Sequence, residues 1–296
     1  MLKQQIHGWI TAARPKTLPA AVTPILPAAA LAWSENSFKL LPVFTALIIC
    51  LLLQIAVNIA NDYFDFIHGI DTQERIGPPR AAASGLLSLK AMRIGMFIIT
   101  IAILGAGSYL VHIGGIPILL IGVASVLSVY LYSAGPLPFS TNALGDLFVF
   151  IFFGPVAVCG TYFLQTKTLN TQIILFSISI GFLITAIMVV NNYRDIKTDT
   201  AAGKKTLAVI LGTTLTRLEY LILIFTPYLI LIAMKFLTNA SLWLLLPLPS
   251  IFLWLPLLRD MNSMADSQNL NKTLAATAKI SLIFSVLLSL GIILSS

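Results

Sequence analysis

The stretch QIILFSISIGFLITAIMVVNNYRD, residues 172–195, carries no charge from Gln172 to Tyr193 and then meets Arg194 and Asp195. A run of about 20 mostly apolar residues is the length that crosses a bilayer as a helix. Eight more stretches have this character: 17–33, 40–61, 91–112, 116–133, 146–164, 219–236, 242–258 and 276–294. The pattern predicts an all-α polytopic membrane protein of nine transmembrane helices, one domain over residues 1–296. Pro19, Pro24 and Pro27 interrupt the first stretch, which should therefore be kinked.

Composition excludes the alternatives. Of the 296 residues 58% are hydrophobic and 10% charged, against about 25% charged in soluble domains. A soluble protein so composed would expose large apolar patches. The net charge of +7 does not mark a nucleic-acid binder, because the bases sit in short loops between apolar runs, where they orient helices. Cys50 and Cys159 are far apart inside apolar runs and form no metal or redox motif.

Of the eighteen Lys and Arg residues, only Lys39, Lys167 and Lys235 fall on one side of the nine spans. The other fifteen mark the cytoplasmic side, which places the N-terminus inside and the C-terminus outside. The acids are as one-sided: only Glu35 lies outside, and the positive-inside rule does not explain that.

An internal echo locates the acids. Asn61-Asp-Tyr-Phe-Asp65 and Asn191-Asn-Tyr-Arg-Asp195 both read N-x-Y-x-D, at the ends of the second and sixth spans. An offset of four spans preserves direction, so both reach the same face. This predicts two four-helix halves, about 17–133 and 146–258, and a ninth helix at about 276–294.

Asn58, Asn61, Asp62 and Asp65 are spaced three and four apart and share one helical face. Asp71 follows Gly69. Asn191, Asp195 and Asp199 share a face if the helix continues. Carboxylates gathered at a membrane interface repel one another unless neutralised. Oxygen donors without Cys or clustered His select a hard cation such as Mg²⁺, which typically bridges carboxylates to substrate phosphates. Arg75 and Arg80 follow the first cluster; Arg194, Lys197, Lys204 and Lys205 lie in or after the second. Acids that hold Mg²⁺ beside bases that hold oxyanions describe a diphosphate site. The alternative, a solvated loop whose acids and bases simply pair, accounts poorly for two matching clusters. His7, His68 and His112 are scattered, and His68 reads as a solvent-facing or capping residue. Tyr130 and Tyr132, followed by Asp146, are either a platform for an aromatic substrate or an interfacial belt.

These residues resemble the UbiA-type intramembrane prenyltransferases, in particular the branch acting on 1,4-dihydroxy-2-naphthoate. The resemblance rests on Arg14-Pro-Lys-Thr-Leu-Pro19; Asn61–Asp65 with Gly69-Ile-Asp71-Thr72; Arg75-Ile-Gly-Pro-Pro-Arg80; Phe152-Phe-Gly-Pro155 through Gly160-Thr-Tyr162; and Asn191–Asp195 through Asp199 to Gly203-Lys-Lys-Thr-Leu-Ala208. The Gly-Pro-Pro-Arg and Ala-Gly-Lys-Lys-Thr-Leu-Ala stretches are specific to the branch. Many relatives carry an acid where Gly69 stands here, and Asp71 lies two residues later.

The resemblance implies a bacterial inner-membrane enzyme that transfers a polyprenyl group from polyprenyl diphosphate to the naphthoate, with loss of CO₂. It implies Asp62, Asp65, Asp195 and Asp199 as catalytic acids, and Mg²⁺ held by these with Asn61, Asn191 and Asp71. Arg75, Arg80, Arg194, Lys204 and Lys205 would bind the diphosphate; Arg14, Tyr130, Tyr132 and Asp146 are the candidates on the acceptor side. Two rivals stand beside this reading. One is another acceptor such as 4-hydroxybenzoate, which the Gly-Pro-Pro-Arg stretch disfavours. The other is an ion-coupled transporter, whose charges should lie near the bilayer midplane instead of at one face.

Overall fold

The structure is a computed structural model that describes residues 2–69, 79–134, 138–238, 240–262 and 267–296. The regular secondary structure of the described residues is helical, apart from one isolated bridge between Asn142 and Lys205.

The chain enters through α1 (Leu2–Ala13), a 3₁₀ turn at Pro15–Thr17, α2 (Pro19–Val22) and α3 (Ile25–Ser34). Arg14, at φ 51°, breaks the path, and the segments on either side of Leu18 are bent by 54°. Pro15, Pro19, Pro24 and Pro27 each remove a backbone donor, which explains why the first apolar stretch is a broken helix. Helix α4 (Leu40–Ile67) follows, and His68 occupies its exposed C-cap.

Helix α5 (Leu89–Leu131) is 43 residues long, about 65 Å if straight and twice the depth of a bilayer core. It is not straight. Thr100 Oγ1 and Tyr130 OH lie 2.7 Å apart, although a straight helix would separate them by about 45 Å. The chain therefore doubles back between them. Gly115, at φ 68° and ψ −156°, adopts a backbone that only glycine enters at little cost, and Pro117 follows. Two antiparallel arms result, where the sequence predicts two spans.

The remaining elements are α6 (Gly145–Ile151), a π-helical turn at Phe152–Cys159, α7 (Gly160–Thr166), α8 (Thr171–Ala201), α9 (Leu207–Thr238), 3₁₀ turns at Leu242–Leu245 and Leu248–Trp254, α10 (Leu255–Asn262) and α11 (Ser267–Ile293). Seven segments among the described residues are long and apolar enough to cross a membrane, eight with the bent N-terminal pair. The protein is an integral membrane protein.

Helix α8 is the axis of the bundle. It is apolar on every face, as a fully enclosed helix must be, and Phe176, Ile180, Leu183, Ile184 and Val190 are buried. It packs against α9, the π turn, α6 and α11. A Cβ at Gly154 would lie 2.6 Å from the Ser177 carbonyl, and one at Gly181 would lie 2.8 Å from the Phe150 ring. These two glycines let the π turn and α8 touch almost backbone to backbone. Helix α5 behaves in the opposite way. Phe97, Ile98, Ile101 and Leu120 are exposed on its surface, as a lipid-facing helix requires.

Candidate active site

The last turns of α4 carry the first acid cluster. The Asn58 amide donates to the Ala13 carbonyl at 2.9 Å and to Thr17 Oγ1 at 3.0 Å, tying the N-terminal segment to α4. Asp62 and Asp65 are almost fully buried. Asp62 Oδ2 accepts the Ala81 amide at 2.8 Å and its Oδ1 accepts the Ala82 amide at 3.2 Å. Arg80 Nη2 donates to Asp65 Oδ2 at 2.6 Å, with both side chains 4% exposed. The residues after Pro79 thus fold back onto the helix end, and the amides of Ala81 and Ala82 fix Arg80 beside Asp65. Asp71 and Arg75 lie outside the described residues.

Helix α8 runs to Ala201, so Asn191, Asp195 and Asp199 follow one another on successive turns. All three nitrogens of the Arg194 guanidinium donate hydrogen bonds. Nε donates to Asp195 Oδ1 at 2.8 Å; Nη2 donates to Asp195 Oδ2 at 2.5 Å and to Asn191 Oδ1 at 3.0 Å; Nη1 donates to Asn271 Oδ1 on α11 at 2.7 Å. Lys204 Nζ lies 3.5 Å from Asp199 Oδ1, and its backbone amide donates to the Asp199 carbonyl at 2.9 Å. Lys197 and Lys205 are exposed. The Lys205 amide donates to the Thr141 carbonyl at 2.9 Å, which lays this loop against the connection between α5 and α6.

Tyr132, at the end of α5, joins the two clusters. Its half-buried side chain lies within range of the charges of Asp146, Asp65, Asp199 and Arg14. One hydroxyl is therefore within electrostatic reach of an acid from each motif, of Arg14 and of Asp146. A Cβ on Gly145 would lie 3.6 Å from the Tyr132 hydroxyl, so the ring abuts the start of α6. Tyr130 does not join this group: its hydroxyl is bonded to Thr100 between the arms of α5.

The tyrosine of the second motif is structural. Tyr193 OH donates to the Met261 carbonyl at 3.0 Å and accepts from Arg217 Nε at 2.9 Å.

Three contributors escape the sequence reading. Asn271 lies 72 positions beyond Asp199 with no motif around it. Asn192 faces Asp146 across the bundle, and only its departure from the Asp62 of the first copy marks it. Glu219 sits inside an apolar segment, within electrostatic reach of Asp146, and is the one acid of a lipid-side groove of about 320 Å³ walled by Leu211, Leu215, Leu218 and Ile222. An acid inside a hydrophobic span is the detectable sign there.

Among the described residues no three of His, Cys, Asp and Glu converge into a ready-made cage. The donors near the motifs are all oxygens. That set suits Mg²⁺, which keeps its waters and takes one or two carboxylates together with substrate phosphates, and does not suit a metal needing a closed protein shell.

Comparison with known proteins agrees with the geometry. A model of the UbiA prenyltransferase family matches residues 21–288. The 1,4-dihydroxy-2-naphthoate octaprenyltransferase of Haemophilus influenzae is 35% identical, covering 99% of this chain and 98% of its own length. That of Escherichia coli is 34% identical over 100% and 99%. A solved structure of a UbiA homolog from Archaeoglobus fulgidus, bound to DMAPP and Mg²⁺, shares the fold at a TM-score of 0.66 and 16% identity, over 97% of this chain and 99% of that one. An all-helical membrane bundle, two N-x-Y-x-D helix ends that each pair acids with bases, and family identity along nearly the whole length lead to one conclusion: the chain is a prenyltransferase of the UbiA family.

Proposed function

We propose that the protein transfers a polyprenyl group from polyprenyl diphosphate to 1,4-dihydroxy-2-naphthoate with loss of CO₂, at a Mg²⁺-dependent site on the cytoplasmic side of a bacterial inner membrane. The observation that carries this reading is that each motif sets an acid beside a base, Asp65 against Arg80 and Asp199 against Lys204. Asn61, Asp62 and Asp65 on α4, and Asn191, Asp195 and Asp199 on α8, would hold the metal. Bound there, Mg²⁺ supplies charge that stabilises the departing diphosphate, where negative charge grows in the transition state.

The residues divide their work. Arg80 and Lys204 meet the diphosphate oxygens, and the exposed Lys205 contributes charge at the mouth. Asp62 accepts the Ala81 and Ala82 amides, which holds Arg80 in place, and is assigned to the metal together with Asp65. Arg194 is spent on Asp195, Asn191 and Asn271, and it orients Asp195 instead of reaching the diphosphate itself. Asp71 and Arg75, outside the described residues, are assigned to the metal and the diphosphate by the resemblance alone. When the allylic C–O bond breaks, the cation forms among helices that exclude water, which would otherwise quench it. The electron-rich ring, held near Tyr132, Asp146 and Arg14, attacks it. The hydroxyl of Tyr130 is bonded elsewhere, which makes its part in that subsite one of packing.

The topology is read as nine crossings in two four-helix halves with a ninth helix, the N-terminus inside and the C-terminus outside. The reversal at Gly115 makes two crossings of α5, and the bent N-terminal pair makes another.

Mass spectrometry of products from purified protein, Mg²⁺, a polyprenyl diphosphate and a panel of aromatic acids tests the reading. A prenylated naphthoquinol lacking the carboxyl group is expected. Product from 4-hydroxybenzoate alone would assign a different acceptor, and no prenylated product would refute the reading.

A further inference from the structure

Asp146 holds a buried carboxylate with little hydrogen bonding. It is 5% exposed. Its Oδ2 lies 3.5 Å from Asn192 Nδ2, at the limit of a hydrogen bond. Its Oδ1 is buried and accepts no hydrogen bond. The neighbouring Tyr132 hydroxyl points to the Met188 sulfur, 3.6 Å away. A carboxylate offers about four acceptor positions, and leaving them empty in a buried place is costly. Groups of this kind persist where a ligand completes them.

The missing partner must be a hydrogen-bond donor or a cation, and the cation is assigned above to the two motifs. A diphosphate offers only acceptors and negative charge, so the prenyl donor is excluded. The acceptor ring carries two hydroxyls. The 1-hydroxyl lies beside the ring carboxylate and closes an internal hydrogen bond with it; the 4-hydroxyl is free. We infer that Asp146, oriented by Asn192, accepts the hydrogen of that 4-hydroxyl, an inference that rests on the naphthoate reading above. The charge-assisted bond raises electron density on the ring oxygen and on the adjacent ring carbons, where an electrophile attacks.

The inference explains why the two motif copies differ. At the position of Asp62 the second copy has Asn192. An aspartate there would set a second carboxylate about 3.5 Å from Asp146, and like charges at that distance oppose ionisation of both. The amide instead donates to one oxygen and leaves the other for substrate. Asn192 is thus a positioning residue and Asp146 the group that touches the ring.

The experiment crosses the protein group with the substrate group. Dissociation constants are measured for 1,4-dihydroxy-2-naphthoate and for 1-hydroxy-2-naphthoate, which lacks the 4-hydroxyl, with Mg²⁺ and a non-reactive prenyl diphosphate analogue present. The wild type should prefer the dihydroxy acid by about ten- to a hundredfold. In Asp146→Ala the preference should collapse to near unity, with affinity for the monohydroxy acid and the Michaelis constant for the prenyl donor unchanged. Asp146→Asn, which keeps the shape and guards against misfolding, should lose most of the preference, and Asn192→Ala part of it. Equal loss of affinity for both acids would assign Asp146 a structural role and overturn the inference, as would a preference that survives both Asp146 variants. If the wild type prenylates the dihydroxy acid and the preference survives, only this inference falls. If it prenylates neither acid, the functional reading falls with it.

Discussion

The ends of α4 and α8 carry the same N-x-Y-x-D pattern but neutralise it in opposite ways. At α4 the help comes from the chain that follows: Arg80 pairs with Asp65, while the Ala81 and Ala82 amides hold Asp62. At α8 the counter-charge is on the helix itself: Arg194 grips the adjacent Asp195 and reaches Asn271 on α11. The first arrangement is a loop that closes on a helix end. The second is a brace between helices. One motif can therefore present a carboxylate through two architectures, and an arginine's place in the sequence does not say whether it serves the ligand or the scaffold.

The largest effect expected is the loss of either side. Asp65→Ala and Asp195→Ala should each lower turnover by about 10²- to 10³-fold or more while the protein still inserts, and chelation of Mg²⁺ should abolish wild-type activity. Near-normal turnover in either variant would remove that side from the site.

Arg80→Lys comes next. A lysine keeps the charge but not the planar fork that grips two oxygens at once. Loss of one such bond to a buried phosphate costs about 1.5–3 kcal/mol, or about ten- to over a hundredfold. The defect should appear in the Michaelis constant for the prenyl diphosphate or in turnover. If instead the constant for the naphthoate rises alone, Arg80 binds the acceptor.

Arg194→Lys should separate brace from ligand group. It removes the bidentate grip on Asp195 and the link to Asn271, so thermal or denaturant stability should fall by about 1.5–3 kcal/mol. The Michaelis constant for the donor should move little, and Asn271→Ala should reproduce part of the stability loss. A large rise in that constant with unchanged stability would make Arg194 a diphosphate contact after all.

Lys204→Ala should be the mildest. Its pair with Asp199 spans 3.5 Å and is partly exposed, where such pairs contribute about 1 kcal/mol or less. A few-fold rise in the donor's Michaelis constant, reduced further at high salt, is the expected outcome.

The sequence was legible where periodicity or steric necessity speaks. Asn58, Asn61, Asp62 and Asp65 at one helix end, and Asn191, Asp195 and Asp199 at the other, could be placed on a face because α4 and α8 stay helical through Asp65 and Asp199. The boundary between the stretches 91–112 and 116–133 falls where Gly115 and Pro117 reverse α5, since glycine and proline act locally. What stayed hidden depends on long-range packing. Nothing near Asp62 announces that its oxygens will take amides nearly 20 positions on, and nothing near Asn271 announces Arg194. The spacing also put Tyr130 and Tyr132 side by side, but one faces the other arm of α5 and the other the acids. Two residues apart near a helix end they point about 200° apart, so only one of them reaches the site.

The central claim is that the two helix ends hold one metal–diphosphate assembly. Its most direct test is the Mg²⁺-dependent affinity of a non-reactive prenyl diphosphate analogue for the wild type, Asp65→Ala, Asp195→Ala and the double variant. The account predicts that each single variant loses nearly all of the Mg²⁺-dependent gain and that the double variant loses no more, because the two sides act as a unit. Losses that simply add, or a single variant that keeps the full gain, would mean two independent sites and would contradict it.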